Sequence, residues 1–75
     1  MKKNFLISIR EIPKKYNISY STVNYYTIIG LLTVVTKRRN MRLYNEAEVK
    51  ESLERISKLK DKGYPLHLIK KELLK

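Results

Sequence analysis

Ser19-Tyr20-Ser21-Thr22-Val23-Asn24-Tyr25-Tyr26-Thr27-Ile28-Ile29-Gly30-Leu31-Leu32 opens on a polar cap and reaches a glycine, which predicts one short helix between the two. At about 100° per residue, Val23, Tyr26 and Ile29 with Thr22 fall on one side, and Tyr20, Ser21, Asn24, Tyr25 and Ile28 on the other. The first face suits a core. The second is free to reach a partner.

Upstream, Ser8-Ile9-Arg10-Glu11 has the form of a capping box, in which Ser8 accepts from the Glu11 amide and Glu11 reaches back. A helix is expected from here to about Tyr16, with Ile9, Ile12 and Tyr16 turned inward. Pro13 lacks an amide and pushes Ile12 away from helical geometry, so this helix should be short, distorted or late to start. Asn17 tolerates positive φ and marks a turn of about three residues before Ser19. Two short helices so joined, over about 8–30, read as a helix-turn-helix or as an ordinary antiparallel pair, and spacing alone favours neither.

Downstream, Leu31-Leu32-Thr33-Val34-Val35-Thr36 is apolar and β-branched, and Met41-Arg42-Leu43-Tyr44 resumes a two-residue alternation. Between them Lys37-Arg38-Arg39-Asn40 makes a basic tip, so residues 31–44 predict a two-stranded antiparallel hairpin. Such a tip is either a solvated turn or a phosphate clamp. Asn45-Glu46-Ala47-Glu48 caps a third helix over about 45–62, with Val49, Leu53, Ile56 and Leu59 as its apolar stripe. Gly63 ends it, and Pro65, at an N1-like position, starts a fourth helix to about residue 74 with Leu66, Ile69 and Leu73 on one side.

Seventy-five residues form one domain with room for a single core, burying about 60% of its unfolded surface. Without cysteine there is no disulfide and no thiolate zinc site, and His67 alone is too little for a histidine metal site, so no cofactor is expected. No nucleophile with a base, paired carboxylates or glycine-rich phosphate loop suggests an enzyme. No apolar run reaches a membrane span, and Met1 to Ile9 is too short for a signal peptide, which points to a cytoplasmic protein. The formal charge of +10 is concentrated: residues 1–44 hold nine Lys or Arg against one acid, residues 45–75 eight against six. That field attracts a polyanion, most simply a nucleic-acid backbone, although basic charge also serves solubility alone.

The assembled order resembles the DNA-binding domain of the MerR-family transcription regulators. The resemblance rests on Ile9-Arg10-Glu11-Ile12, on Ile18-Ser19 through Tyr25-Tyr26 to Ile29-Gly30-Leu31-Leu32, on Arg42-Leu43-Tyr44-Asn45-Glu46, and on Gly63-Tyr64-Pro65-Leu66 with Ile69. It implies a mostly α, winged helix-turn-helix domain of bacterial or phage type, with four helices and a small two-stranded antiparallel wing. The helix after Ser19 would be the recognition helix in a major groove of double-stranded DNA. Tyr25 and Arg42 match family positions that touch the DNA backbone, and Tyr26 matches the more buried tyrosine. The family usually has arginine at Asn24, often a glutamate at Thr27, a basic residue at Ile28, and glycine-aromatic where Asn40-Met41 stands. Its regulators continue into a dimerisation helix and an effector segment, whereas this sequence ends at Lys75, so the expected entity is a stand-alone or excised domain with no small-molecule effector site.

DNA binding needs cations for phosphates and small projecting polar groups for base edges. Tyr20, Ser21 and Asn24 are the base-edge candidates, with Asn24 suited to bidentate pairing with adenine. Thr22, Tyr25, Lys14, Lys15, Lys37, Arg38, Arg39 and Arg42 are the backbone candidates. A second copy on an adjacent half-site would enlarge the small contact area. Three alternatives stand beside transcription regulation: an excisionase-like architectural factor, a protein-interaction adaptor using Ile28, Leu68 and Leu74, and a single-strand or RNA binder stacking bases on Tyr20 and Tyr25.

Overall fold

Short-range caps and left-handed stops bound the first three helices. The computed structural model describes residues 5–74. Met1 to Asn4, which begin the segment judged too short for a signal peptide, and Lys75 lie outside the described residues. The element order is β1 (Leu6–Ser8), α1 (Glu11–Tyr16), α2 (Tyr20–Ile28), β2 (Val34–Arg38), β3 (Met41–Asn45), α3 (Glu46–Asp61) and α4 (Leu66–Leu73). This is the mostly α, four-helix winged helix-turn-helix architecture expected from the sequence, with one addition. The antiparallel sheet has three strands in the order β1-β3-β2, not two.

The extra strand exists through non-local pairing: Leu6 opposes Asn45, Ile7 opposes Tyr44 and Ser8 opposes Leu43. It also explains the late start of α1. Ser8 and Glu11 form the anticipated reciprocal cap, the Ser8 amide donating to Glu11 Oε1 and the Glu11 amide to Ser8 Oγ, each at 3.2 Å. Because Ser8 closes β1 and the Ile9 amide still donates to the Arg42 carbonyl at 3.0 Å, regular helix begins only at Glu11. Pro13 therefore lies in the first turn, where its missing amide has no intrahelical partner to lose. Asn17, at φ 55°, ends the helix as the Ile18 amide donates back to the Pro13 carbonyl at 3.3 Å.

Ser19 caps α2 by accepting from the Thr22 amide at 3.0 Å. At the other end the Leu31 amide donates to the Tyr26 carbonyl at 2.8 Å and the Gly30 amide to the Thr27 carbonyl at 3.2 Å, a Schellman arrangement that requires Gly30 at φ +89°. A Cβ at Gly30 meets nothing within 4 Å, so only backbone strain opposes a side chain there. Gly30→Ala should therefore cost about 1–2 kcal/mol, read as a lower urea midpoint with an unchanged slope.

The basic tip is tighter than its sequence suggests. Arg39 and Asn40, at φ 52° and 63°, form a two-residue turn of the primed type, so Lys37 and Arg38 belong to β2. Val35 is an extra residue between the pairs Val34–Tyr44 and Thr36–Leu43, a bulge that raises the local twist. Pairing starts at Val34 and not at Leu31, because the Leu31 and Leu32 amides both donate to the Tyr26 carbonyl at the end of α2, at 2.8 and 3.2 Å.

Asn45 ends β3 and caps α3, accepting from the Glu48 amide at 3.1 Å, while Gly63 at φ +89° stops the helix. Pro65 is the N-cap of α4 and not its first helical residue, and its carbonyl accepts from the Leu68 and Ile69 amides at 3.0 and 3.1 Å. One core joins all layers: Ile7 and Ile9, Ile12 of α1, Val23 and Tyr26 of α2, Leu31, Leu32, Tyr44 of β3, Val49 and Ile56 of α3, and Ile69 of α4. Tyr16, Ile29, Leu53, Leu59, Leu66 and Leu73 are half-buried against it. Among the described residues no helix is long and apolar enough to cross a membrane.

Candidate nucleic-acid interface

Val23 and Tyr26 anchor α2 from below, and this turns the opposite face outward. Tyr20 and Tyr25 are 55% and 49% exposed, Ser21 is exposed and Asn24 is half-buried. Ile28, at 71%, extends the same face toward the helix end. The Thr22 hydroxyl is taken up by Ser19 Oγ at 2.8 Å and so belongs to the cap. Tyr26 is the buried member of the tyrosine pair, its ring 6.4 Å from that of Tyr25 at a 45° tilt.

Two side-chain hydrogen bonds tie β3 to this helix, and neither was foreseeable from local pattern. The fully buried Tyr44 shares a 2.7 Å hydrogen bond between its hydroxyl and Thr27 Oγ1, which also donates to the Val23 carbonyl at 2.8 Å. Two residues back along the strand, and therefore on the same face, Arg42 Nη1 donates to Asn24 Oδ1 at 2.7 Å. Arg42 and Tyr44 thus meet Asn24 and Thr27, one helical turn apart. The wing is held against α2 in a fixed orientation.

Charge is crowded on that hairpin. Lys37 is the register partner of Arg42, so two cations share one face, an arrangement unfavourable by a few tenths of a kcal/mol or more without an anion. Arg38 and Arg39 are exposed beside them. Among the described residues no carboxylate pairs with Lys37, Arg38, Arg39 or Arg42. Lys60 of α3 lies behind α2, its Nζ 5.9 Å from the Tyr26 ring centre, a neighbour the sequence did not flag.

Lys14 and Lys15 are elsewhere. They line a surface depression with Phe5, Leu6 and Ile7, beside the sheet edge opposite β2. Lys15 pairs with Glu46, and that hydrogen bond, outweighing a smaller opposing effect of desolvation, raises its pKa above the ordinary lysine value. Burial raises the phenol of neighbouring Tyr16 as well. No group of three or more His, Cys, Asp or Glu able to hold a metal occurs among the described residues.

The arrangement is a helix with an outward polar face, rigidly joined to an unneutralised basic hairpin. The sequence matches the family model described as MerR HTH family regulatory protein over residues 7–75, nearly its whole length. No curated protein and no solved structure matches it. The match takes in the helix-turn-helix, the hairpin and both supporting helices together, and the chain belongs to the MerR family of helix-turn-helix regulatory proteins, whose general role is DNA binding in transcription regulation.

Proposed function

We propose that this chain binds double-stranded DNA in a sequence-specific manner as a transcription regulator, with α2 in a major groove and the hairpin on the flanking backbone. The observation that carries the proposal is the clamp between β3 and α2, because it makes the polar helix face and the basic hairpin one rigid surface. Tyr20, Ser21 and Asn24 face base edges. Tyr25 donates its hydroxyl to a phosphate, and Lys37, Arg38, Arg39 and Arg42 supply the cations. A phosphate oxygen between Lys37 and Arg42 relieves their mutual repulsion, so the hairpin gains more from the polyanion than an isolated pair of cations would. Lys14 and Lys15, beside β1, are left out of this set. One domain offers a small interface, so specific sites require a second copy on an adjacent half-site. The protein works in the cytoplasm, where the DNA is.

With four to six phosphates neutralised per chain, log affinity should fall against log salt with a slope of about −4 to −5 on B-DNA. Fluorescence anisotropy of a labelled duplex over a salt series measures it. An affinity that hardly changes from low to moderate salt contradicts the proposal.

A further inference from the structure

The hydrogen bond between Arg42 and Asn24 fixes more than the wing. Every polar hydrogen-bonding group of a guanidinium is a donor, so the atom of the Asn24 carboxamide that faces Arg42 must be its oxygen, and the amide orientation is settled by chemistry. What Asn24 has left to offer is its NH2 group, with two donors. Asn24 stands four residues after Tyr20 and three after Ser21, on the same side of α2, and since no buried side-chain polar atom lacks a partner among the described residues, the unbonded NH2 of this half-buried residue is open to solvent. Arg42 keeps its remaining N–H donors and its full positive charge beside it. Lys37, opposite Arg42 in the hairpin, adds a second cation and no acceptor.

Resting on the docking proposed above, we infer that Asn24 and Arg42 act as a donor-only pair that selects guanine over adenine at one base position. Guanine presents two acceptors in the major groove, N7 and O6, and both can be met by donors from this pair. Adenine presents N7 but also an N6 amine, which is a donor. Facing the pair, that amine finds other donors and a guanidinium charge, and it leaves the water that satisfied it. Cytosine places its N4 amine in the same situation. An asparagine with an unengaged oxygen has the opposite preference, because it accepts from N6 while donating to N7 of adenine. The adenine preference expected of Asn24 from its residue type is therefore reversed by its neighbour. Arg42 acts here as a positioning residue for Asn24 in addition to its phosphate contact.

The test is selection of bound duplexes from a random pool, followed by affinities on duplexes that differ at single positions. Asn24→Ala defines the position concerned as the one whose preference it erases while the others persist. The wild-type chain should carry guanine there, and replacing that base pair to present adenine should weaken binding about tenfold or more. Arg42→Met removes the guanidinium at similar length and frees the Asn24 oxygen. It should weaken binding to all duplexes and also move the preference at that position from guanine toward adenine, a change that mere loss of structure does not produce. Adenine at that position with the wild-type chain overturns the inference, as does an Arg42→Met variant with the same guanine-to-adenine ratio, or an Asn24→Ala variant that erases no preference. A wild-type chain that binds no duplex overturns the docking proposal itself, and is thereby distinguished from the other outcomes.

Discussion

Replacing Lys37, Arg38 and Arg39 together with glutamine is expected to lower duplex affinity by about 2.7 decades at 0.1 M salt, and to make the salt slope shallower by about the same 2.7. Each phosphate contact contributes about 0.9 to the slope, and a decade of salt separates 0.1 M from the 1 M at which the electrostatic attraction is mostly spent. Three contacts give the figure. The substitution is fair because all three side chains are exposed and the fold does not use them: Lys37 and Arg38 contribute only backbone to β2, and Arg39 only its left-handed turn conformation. Stability should hold or rise slightly, since the like-charge pairing of Lys37 with Arg42 disappears. Anisotropy titrations with the variant and the wild type, with thermal unfolding alongside, separate the two effects. A folded triple variant that binds within a few-fold of wild type would show that the hairpin is not on the backbone.

The second large effect concerns the helix-turn-helix as a unit. Ile12 is the one buried residue of α1 and is fully enclosed. Everything local about α1 serves to present it: the Ser8–Glu11 cap sets where the helix begins, and Asn17 sets where it ends, six residues after Glu11. Ile12→Ala should cost about 2–5 kcal/mol, because the rest of the core cluster relaxes only partly into the space left behind. A domain of this length has in all about 4–11 kcal/mol, so the variant should be partly unfolded near physiological temperature. Urea unfolding at low temperature measures the loss. A cost below about 1 kcal/mol would mean that α1 is not held in the core as described.

What could be read from the sequence is what depends on neighbours within a few residues. The caps at Ser8–Glu11, Ser19 and Asn45–Glu48, and the stops at Asn17, Gly30 and Gly63, are all contacts of three to five residues' span, and all occur as expected. The core stripe of α2, Val23 and Tyr26, follows directly from helical periodicity. The features that escaped are long-range. β1 is three residues long, too short to show an alternating pattern, and it owes its existence to β3, more than thirty residues later. The two-residue turn was hidden because Asn40 suits positive φ but Arg39 carries no such signal. Tyr44 read as a hairpin residue, yet it is a fully buried anchor whose hydroxyl depends on Thr27.

The same distinction divides the candidate site. Helical geometry put Tyr20, Ser21, Asn24 and Tyr25 on an outward face, and the exposure of three of them with the half-burial of Asn24 agrees with that placement. It could not reveal that the Asn24 oxygen is already engaged by a residue eighteen positions later. Charge counting grouped Lys14 and Lys15 with the basic half of the chain. In the folded chain they lie beside the far edge of the sheet, and Lys15 is paired with Glu46 across thirty-one residues.

The most direct test of the interface is to follow backbone amide resonances of the isotope-labelled chain as a selected duplex is added. The expected result is that the largest shifts fall on residues 20–25 of α2 and 37–42 of the hairpin, contiguous across the Asn24–Arg42 hydrogen bond, while Leu68 of α4 and Leu74 at its end stay in place. Shifts centred on Leu68 and Leu74, with the hairpin unmoved, would contradict it.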